Sequence, residues 1–232
     1  MEQILHQNQP TSVRPKLSFL YYWQQIAAIL LLPLLIVSAY LYLKPASQIA
    51  ETYQELFTPY GTWSVVNLPD GSKVWLNAGS SLKYPTQFND KQRVVSMQGE
   101  AYFEVESDKE HPFIVKTSHT SIRVTGTSFN VRAYADEDTE STTLISGTVR
   151  INSGNEAFEL VPNQHYTYNK NTGTNTVANV NTDLYTSWES GSFIFLNVPL
   201  ENVMSYLSKW YGFQYSFEDE ACLLYTSPSP RD

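Results

Sequence analysis

The side chains able to do chemistry are few and poorly placed for it. Four histidines, His6, His111, His119 and His165, lack the spacing that metal ligation needs, and each reads as a surface or packing residue. Cys222 is the one cysteine, which excludes an intramolecular disulfide and a multi-cysteine zinc site. No glycine-rich phosphate loop, nucleophile elbow or zinc-hydrolase motif is present. The acidic run Asp136, Glu137, Asp138 and Glu140 lacks calcium-loop spacing with its central glycine and reads as a solvated hairpin turn. Trp63, Trp75 and Trp188 could be stacking platforms for a sugar, and Trp75 shares its strand face with Lys73 and Asn77, where partial exposure is expected. The residues therefore point away from an enzyme, with no metal and no cofactor required.

The elements that would carry these residues begin with one apolar stretch. Ile26 to Leu43, IAAILLLPLLIVSAYLYL, contains no charge. As a helix it would be roughly 27 Å long, close to the hydrocarbon thickness of a bilayer. Tyr21, Tyr22 and Trp23 stand at one end and Tyr40 and Tyr42 at the other, as interfacial aromatics do. Arg14 and Lys16 precede it and Lys44 follows, a bias that favours an N-terminus inside and the bulk of the chain outside. A cleaved signal peptide is the competing reading, since Val37-Ser38-Ala39 resembles a cleavage site; the length of the apolar run favours a retained anchor. Pro33 lies mid-helix, where its missing N–H loosens the backbone. It is either a kink or a point where an intramembrane protease could unwind its substrate.

The full chain carries 15 Lys and Arg against 23 Asp and Glu, a net charge of −8. That balance argues against nucleic acid as a direct partner. Beyond the apolar stretch, short alternating runs recur, separated by turn signals such as Pro69-Asp70-Gly71-Ser72. About ten strands are expected, among them Arg93–Gln98, Ala101–Val105, Phe113–Thr117 and Ser128–Tyr134. With no helical period between them, they predict an antiparallel β-sandwich or jelly roll. The Asn/Thr-rich stretch 169–182 reads as a loop or linker. Afterwards the period changes: Ser192–Leu196 reads as a strand, Asn197 as an N-cap, and Leu200, Val203, Met204 and Leu207 as one face of a helix. Gly212 is the expected stop, and Phe213–Phe217 a second strand, making a partial βαβ unit.

The expected organisation is mainly β. It comprises a tail over 1–18, a transmembrane helix over 19–44, a connector over 45–60 and a β domain over 61–168. A linker over 169–187 and a partial module over 188–221 follow. The Ser-Pro-rich end over 222–232 does not continue the pattern and reads as truncated or non-native.

Six blocks occur in order: LPDGSKVWLNAGSSLKYP (Leu68–Pro85), QGEAYFEV (Gln98–Val105), PFIVKT (Pro112–Thr117), VTGTSFNVRAY (Val124–Tyr134), SGTVRI (Ser146–Ile151) and LVPNQ (Leu160–Gln164). Together they resemble the FecR-like family of membrane-spanning anti-sigma factors and sigma regulators. Trp188–Gly212 resembles that family's C-terminal module, related to the short N-terminal domain of secretins and TonB-dependent receptors. The resemblance covers about residues 19 to 221.

It implies a single-pass inner-membrane protein with its N-terminus in the cytoplasm and its bulk in the periplasm. Such a protein relays the state of an outer-membrane TonB-dependent receptor, through the receptor's signalling domain, to an ECF-type sigma factor. Regulated proteolysis ending within the membrane would free that sigma factor for transcription of uptake genes. The resemblance also implies Leu200, Val203, Met204 and Leu207 as a receptor-contact face. The family's GT-x-F-x-V motif falls on Gly126 to Val131, and the Gly126–Thr127 bond is a point of self-cleavage in some members. The Thr127 hydroxyl would attack the Gly126 carbonyl to give an ester that hydrolyses, against the plainer reading of a turn glycine before a strand. The short tail departs from the substantial cytoplasmic domain of family members: either the start is truncated or this copy cannot hold a sigma factor, so the ECF sigma partner is expected only if that domain is present in the full chain. The alternative function is a membrane-tethered periplasmic glycan-binding module.

Overall fold

The computed structural model describes residues 19–43, 52–88 and 91–217. The tail over 1–18, the first part of the connector, Cys222 and the end over 222–232 lie outside these. The chain divides into two units, Met1–Ala50 and Glu51–Asp232. In the first, α1 covers Phe19–Leu43 with Pro33 inside it. The apolar stretch is therefore helical, and its described side chains from Ile29 to Val37 are exposed. Side chains are described for only part of α1, and among the described residues no helix is long and apolar enough to cross a membrane.

The second unit is built on a 13-stranded sheet. Its strands are β1 (Tyr53–Thr58), β2 (Ser64–Asn67), β3 (Lys73–Leu76), β4 (Ser80–Pro85), β5 (Arg93–Glu104), β6 (Phe113–Lys116) and β7 (Thr120–Val124). Then come β8 (Ser128–Ala133), β9 (Thr139–Ser146), β10 (Val149–Ser153), β11 (Glu156–Leu160), β12 (Gln164–Asn169) and β13 (Asn175–Asn179). The two runs expected over 93–105 are one continuous strand, and β5 is the spine of the fold. Its first half pairs with β4 and β6, in a layer ordered β1-β4-β5-β6-β7-β10-β11, here called sheet A. Its second half pairs with β3 and β8, in a layer ordered β2-β3-β5-β8-β9-β12-β13, here called sheet B.

Gly99 is where β5 passes from one layer to the other. Its φ is +96°, and a Cβ there would lie 2.7 Å from the Ser80 Cα. Only glycine fits, which lets the strand turn while its inward side keeps period two: Arg93, Val95, Met97, Ala101 and Phe103 are all buried. Phe103 stacks on Phe129 at 5.0 Å and meets Phe113 of sheet A edge-on at 6.3 Å. Each fully buried ring of this kind is worth about 2–3 kcal/mol relative to exposure.

Polar pairs join the two layers elsewhere. Arg93 of β5 reaches Asp70 in the β2–β3 turn at 2.7 Å and also donates to the Glu106 and His111 carbonyls. Glu140 of β9, buried at 2 %, accepts from Thr117 at 2.6 Å and pairs with His119 at 2.7 Å, both in the β6–β7 turn.

Several expectations are corrected. The pairing is not wholly antiparallel, because β6 runs parallel to β5. The connector contains β1, paired with β4 over six residues. The Asn/Thr-rich linker holds β13, paired with β12, and then a short helix α2 (Asp183–Thr186). Backbone hydrogen bonding to β12 gives that polar stretch its order without apolar burial. Neither 192–196 nor 213–217 is a strand among the described residues, so the partial βαβ unit reduces to its helix, α3 (Leu200–Tyr211), with Gly212 at the C-cap as expected. The N-cap is Pro199 and not Asn197, which has φ 53°.

Candidate functional site

On the outward side of sheet B, where solvent would be expected, several polar residues are buried. Asn77 follows β3, Glu100 lies on β5, and Asn130 and Arg132 lie on β8. Glu100 and Arg132 face each other in the β5–β8 register, an opposite-charge cross-strand pair. They are covered by the segment from Tyr185 to Tyr211. The Trp188 indole N–H donates to Asn130 Oδ1 at 3.2 Å, and Asn77 Nδ2 lies 3.4 Å from the Tyr206 hydroxyl. Gly61 N–H donates to the Lys209 carbonyl at 2.9 Å, tying the end of α3 to the β1–β2 loop.

A chain of alternating charge starts at buried Glu100, runs through half-buried Arg132 and Glu137 to Lys209, and ends at exposed Asp136. Glu100 accepts from Arg132 at 2.7 Å, Asn77 at 2.8 Å and Asn130 at 3.1 Å. Arg132 grips Glu137 with two bonds, of 2.8 and 2.6 Å. Lys209 Nζ lies 3.0 Å from both Glu137 and Asp136. The guanidinium sits between two tyrosines, 4.9 Å from the rings of Tyr134 and Tyr206, and the lysine lies 4.2 Å over Tyr134. Burial opposes the charge on Arg132, yet Glu100 and Glu137 outweigh it and raise its pKa. Burial first, and Glu100 after it, push up the phenols of Tyr134 and Tyr206. Burial likewise works against the charge of Asp136, but the bond from Lys209 holds its pKa down. These phenols are neither bases nor nucleophiles near neutral pH. The arrangement holds two elements together; it does not activate an atom.

Helix α3 docks with Tyr206, Lys209 and Trp210. At about 100° per residue, Leu200, Val203, Met204 and Leu207 form a neighbouring stripe about a third of a turn away, each half-buried. Trp75 and Trp188 are buried at 8 % and 2 %, leaving only Trp63 of the three tryptophans able to stack on a sugar. The acidic run is not a plain solvated turn, because Asp136 and Glu137 bind Lys209 and Glu140 is internal. His111 pairs with half-buried Asp108, and His165 meets the Thr143 hydroxyl at 2.8 Å and stacks on Tyr185 at 4.2 Å. Burial lowers the pKa of His165 to about 4. Among the described residues no group of acidic, histidine or cysteine side chains could hold a metal.

Gly126 and Thr127 lie apart from this region, between β7 and β8. Gly126 has φ +144°, and a Cβ there would lie 2.9 Å from the Ser107 Cα. Thr127 is buried, and its hydroxyl donates to the Thr148 carbonyl at 3.0 Å.

With sheet topology and site in hand, the class is defined: the chain belongs to the FecR family. The FecR protein family profile matches residues 54–150, from β1 into β10. Beyond it, the chain is similar to a crystal structure of a candidate anti-sigma factor from Parabacteroides distasonis ATCC 8503. The two are 34% identical, with a TM-score of 0.67, over 69% of this chain and 76% of that one. A second crystal structure from that organism, bearing the same description, matches at 34% identity and a TM-score of 0.66, over 68% and 75%. A search of curated proteins finds no match.

Proposed function

We propose that this chain is a single-pass inner-membrane regulator of a sigma factor. In this reading α1 crosses the membrane with the N-terminus in the cytoplasm, and the β domain and α3 occupy the periplasm. The protein passes the state of an outer-membrane TonB-dependent receptor to an ECF-type sigma factor that controls uptake genes. The observation that carries the reading is family membership together with the 34% identity to a candidate anti-sigma factor across most of both chains. The uncharged apolar run in α1 and the charge bias around it support the membrane orientation.

Within that scheme the receptor's signalling domain engages α3 through Leu200, Val203, Met204 and Leu207, the stripe left half-exposed by docking. Signal transfer ends with cleavage near Pro33. The scheme includes self-cleavage at Gly126–Thr127, in a turn that only glycine fits: Oγ1 adds to the Gly126 carbonyl, the C–N bond breaks, and the proton passes to the Thr127 amine before water opens the ester. Thr127→Ala is then expected to leave the chain in one piece on a gel, and unchanged fragmentation would end that part of the proposal.

The regulator reading is tested by affinity purification of the tagged full chain from membranes of its own organism. Recovery of an ECF sigma factor and of a receptor bearing a signalling domain supports it. Recovery of neither, with retention on a glycan column, would favour the glycan-binding alternative.

A further inference from the structure

Beside the ion chain lies a cleft of about 650 Å3, between the β8–β9 turn and the segment from Leu184 to Tyr215. That is within the range of ligand sites. Five carboxylates line it, those of Glu100, Asp136, Glu137, Asp138 and Glu201, against the single guanidinium of Arg132. Lys209 compensates one more from behind. Asp138, from the β8–β9 turn, and Glu201, from the first turn of α3, both line it. Both are exposed, and among the described residues neither makes an ion pair.

The remaining walls are aromatic and aliphatic. Tyr185, Tyr206 and Tyr215 contribute rings to the lining. Along the stretch 192–196, Phe193 and Phe195 pack on Tyr206, while Ile194 and Leu196, which also line the cleft, are each 46% exposed. The protein already holds its own cations with this chemistry, since Arg132 and Lys209 each rest on carboxylates and a tyrosine ring. The cleft repeats the combination with two carboxylates left over.

We propose that this cleft is a docking site for a basic peptide segment of a partner protein, in which cationic and apolar side chains alternate. The cations pair with Asp138 and Glu201 and rest on the tyrosines, and the apolar side chains meet Ile194 and Leu196. The exposed aliphatic pair selects a peptide over a bare polyamine, which would leave that surface wet. The proposal adds a partner chemistry to the regulator reading but stands on the cleft alone. Loss of sigma control in cells and loss of peptide binding in vitro are separate results.

The test uses the full chain in a non-ionic detergent and a fluorescein-labelled hexapeptide of alternating arginine and leucine, read by fluorescence anisotropy. Saturable binding is expected, weakening as salt rises. The double variant Asp138→Asn, Glu201→Gln is expected to weaken it at least about fivefold, from the loss of two ion pairs. The double variant Glu55→Gln, Glu159→Gln, which removes equal charge elsewhere, should leave it unchanged. A hexapeptide of alternating glutamate and leucine should not bind. The proposal is overturned by absence of saturable binding, by equal weakening in both double variants, or by spermidine displacing the peptide at equal concentration. Circular dichroism melts of each variant keep unfolding distinct from loss of the site.

Discussion

On the inner face of sheet B, Phe103, Phe129 and Val131 are buried against apolar neighbours in the sandwich core. On the outer face, one residue along in each strand, Glu100 and Asn130 are buried almost as fully, beneath Trp188, Tyr206 and Lys209. The inner contacts are non-directional: many apolar arrangements of the right volume would satisfy them. The outer contacts are not. Burying charges is costly, and a buried ion chain adds little net stability over a well-packed apolar surface. What it adds is register, since one placement of α3 puts Lys209 on Glu137 and Tyr206 on Arg132 together. The inner face therefore sets whether the domain folds. The outer face sets where the C-terminal segment sits, and with a modest margin for letting go.

The comparison can be broken at either face. Phe103→Ala should have the largest effect, destabilising the whole domain by about 3–5 kcal/mol, with sandwich and α3 lost together in one denaturant transition. Lys209→Met removes the cation shared by Asp136 and Glu137 while keeping the apolar stem. A loss of about 1–2 kcal/mol is expected, confined to the C-terminal segment and seen as faster chymotrypsin cleavage after residue 180 with an unchanged sandwich melt.

The smallest effect is one of pH. His165 supports Tyr185 as a neutral ring, and its folded pKa is lowered to about 4 from the usual 6.5. A depressed pKa means that the unfolded chain binds more protons between those values. The stabilisation is full above pH 6.5 and is lost as pH falls towards 4. At pH 6 the loss is under about 1 kcal/mol. His165→Gln should flatten this slope in urea titrations at pH 7, 6 and 5, and an unaltered slope would assign it to other groups.

The sequence reading reached the parts of this molecule governed by local periodicity. Strands β5 to β11 alternate cleanly, and α3 and its stop at Gly212 follow helical spacing. It missed β1, β4, β12 and β13, of which β1 and β13 are edge strands whose order comes from backbone bonding to one neighbour and whose side chains are mostly exposed. It split β5 at Gly99, because a glycine in a strand marks both a break and a bend. The ion chain was out of reach for a different reason. Glu100 and Arg132 are 32 residues apart and Glu137 and Lys209 are 72 apart, so their pairing exists only once register and docking are known. The signal that could have found part of it was the one lysine in an otherwise aromatic last turn of α3.

The central claim is that α3 is held to the sandwich by an ion chain and can be loosened without unfolding the sandwich. Hydrogen exchange of the full chain, compared with Arg132→Met, addresses it directly. Removing the guanidinium leaves Glu100 and Glu137 without their shared cation, a loss of about 3 kcal/mol. Amides of α3 are then expected to exchange about a hundredfold faster, and those of β5 and β8 at unchanged rates. Equal acceleration of α3 and both strands, or no acceleration of α3, would contradict it.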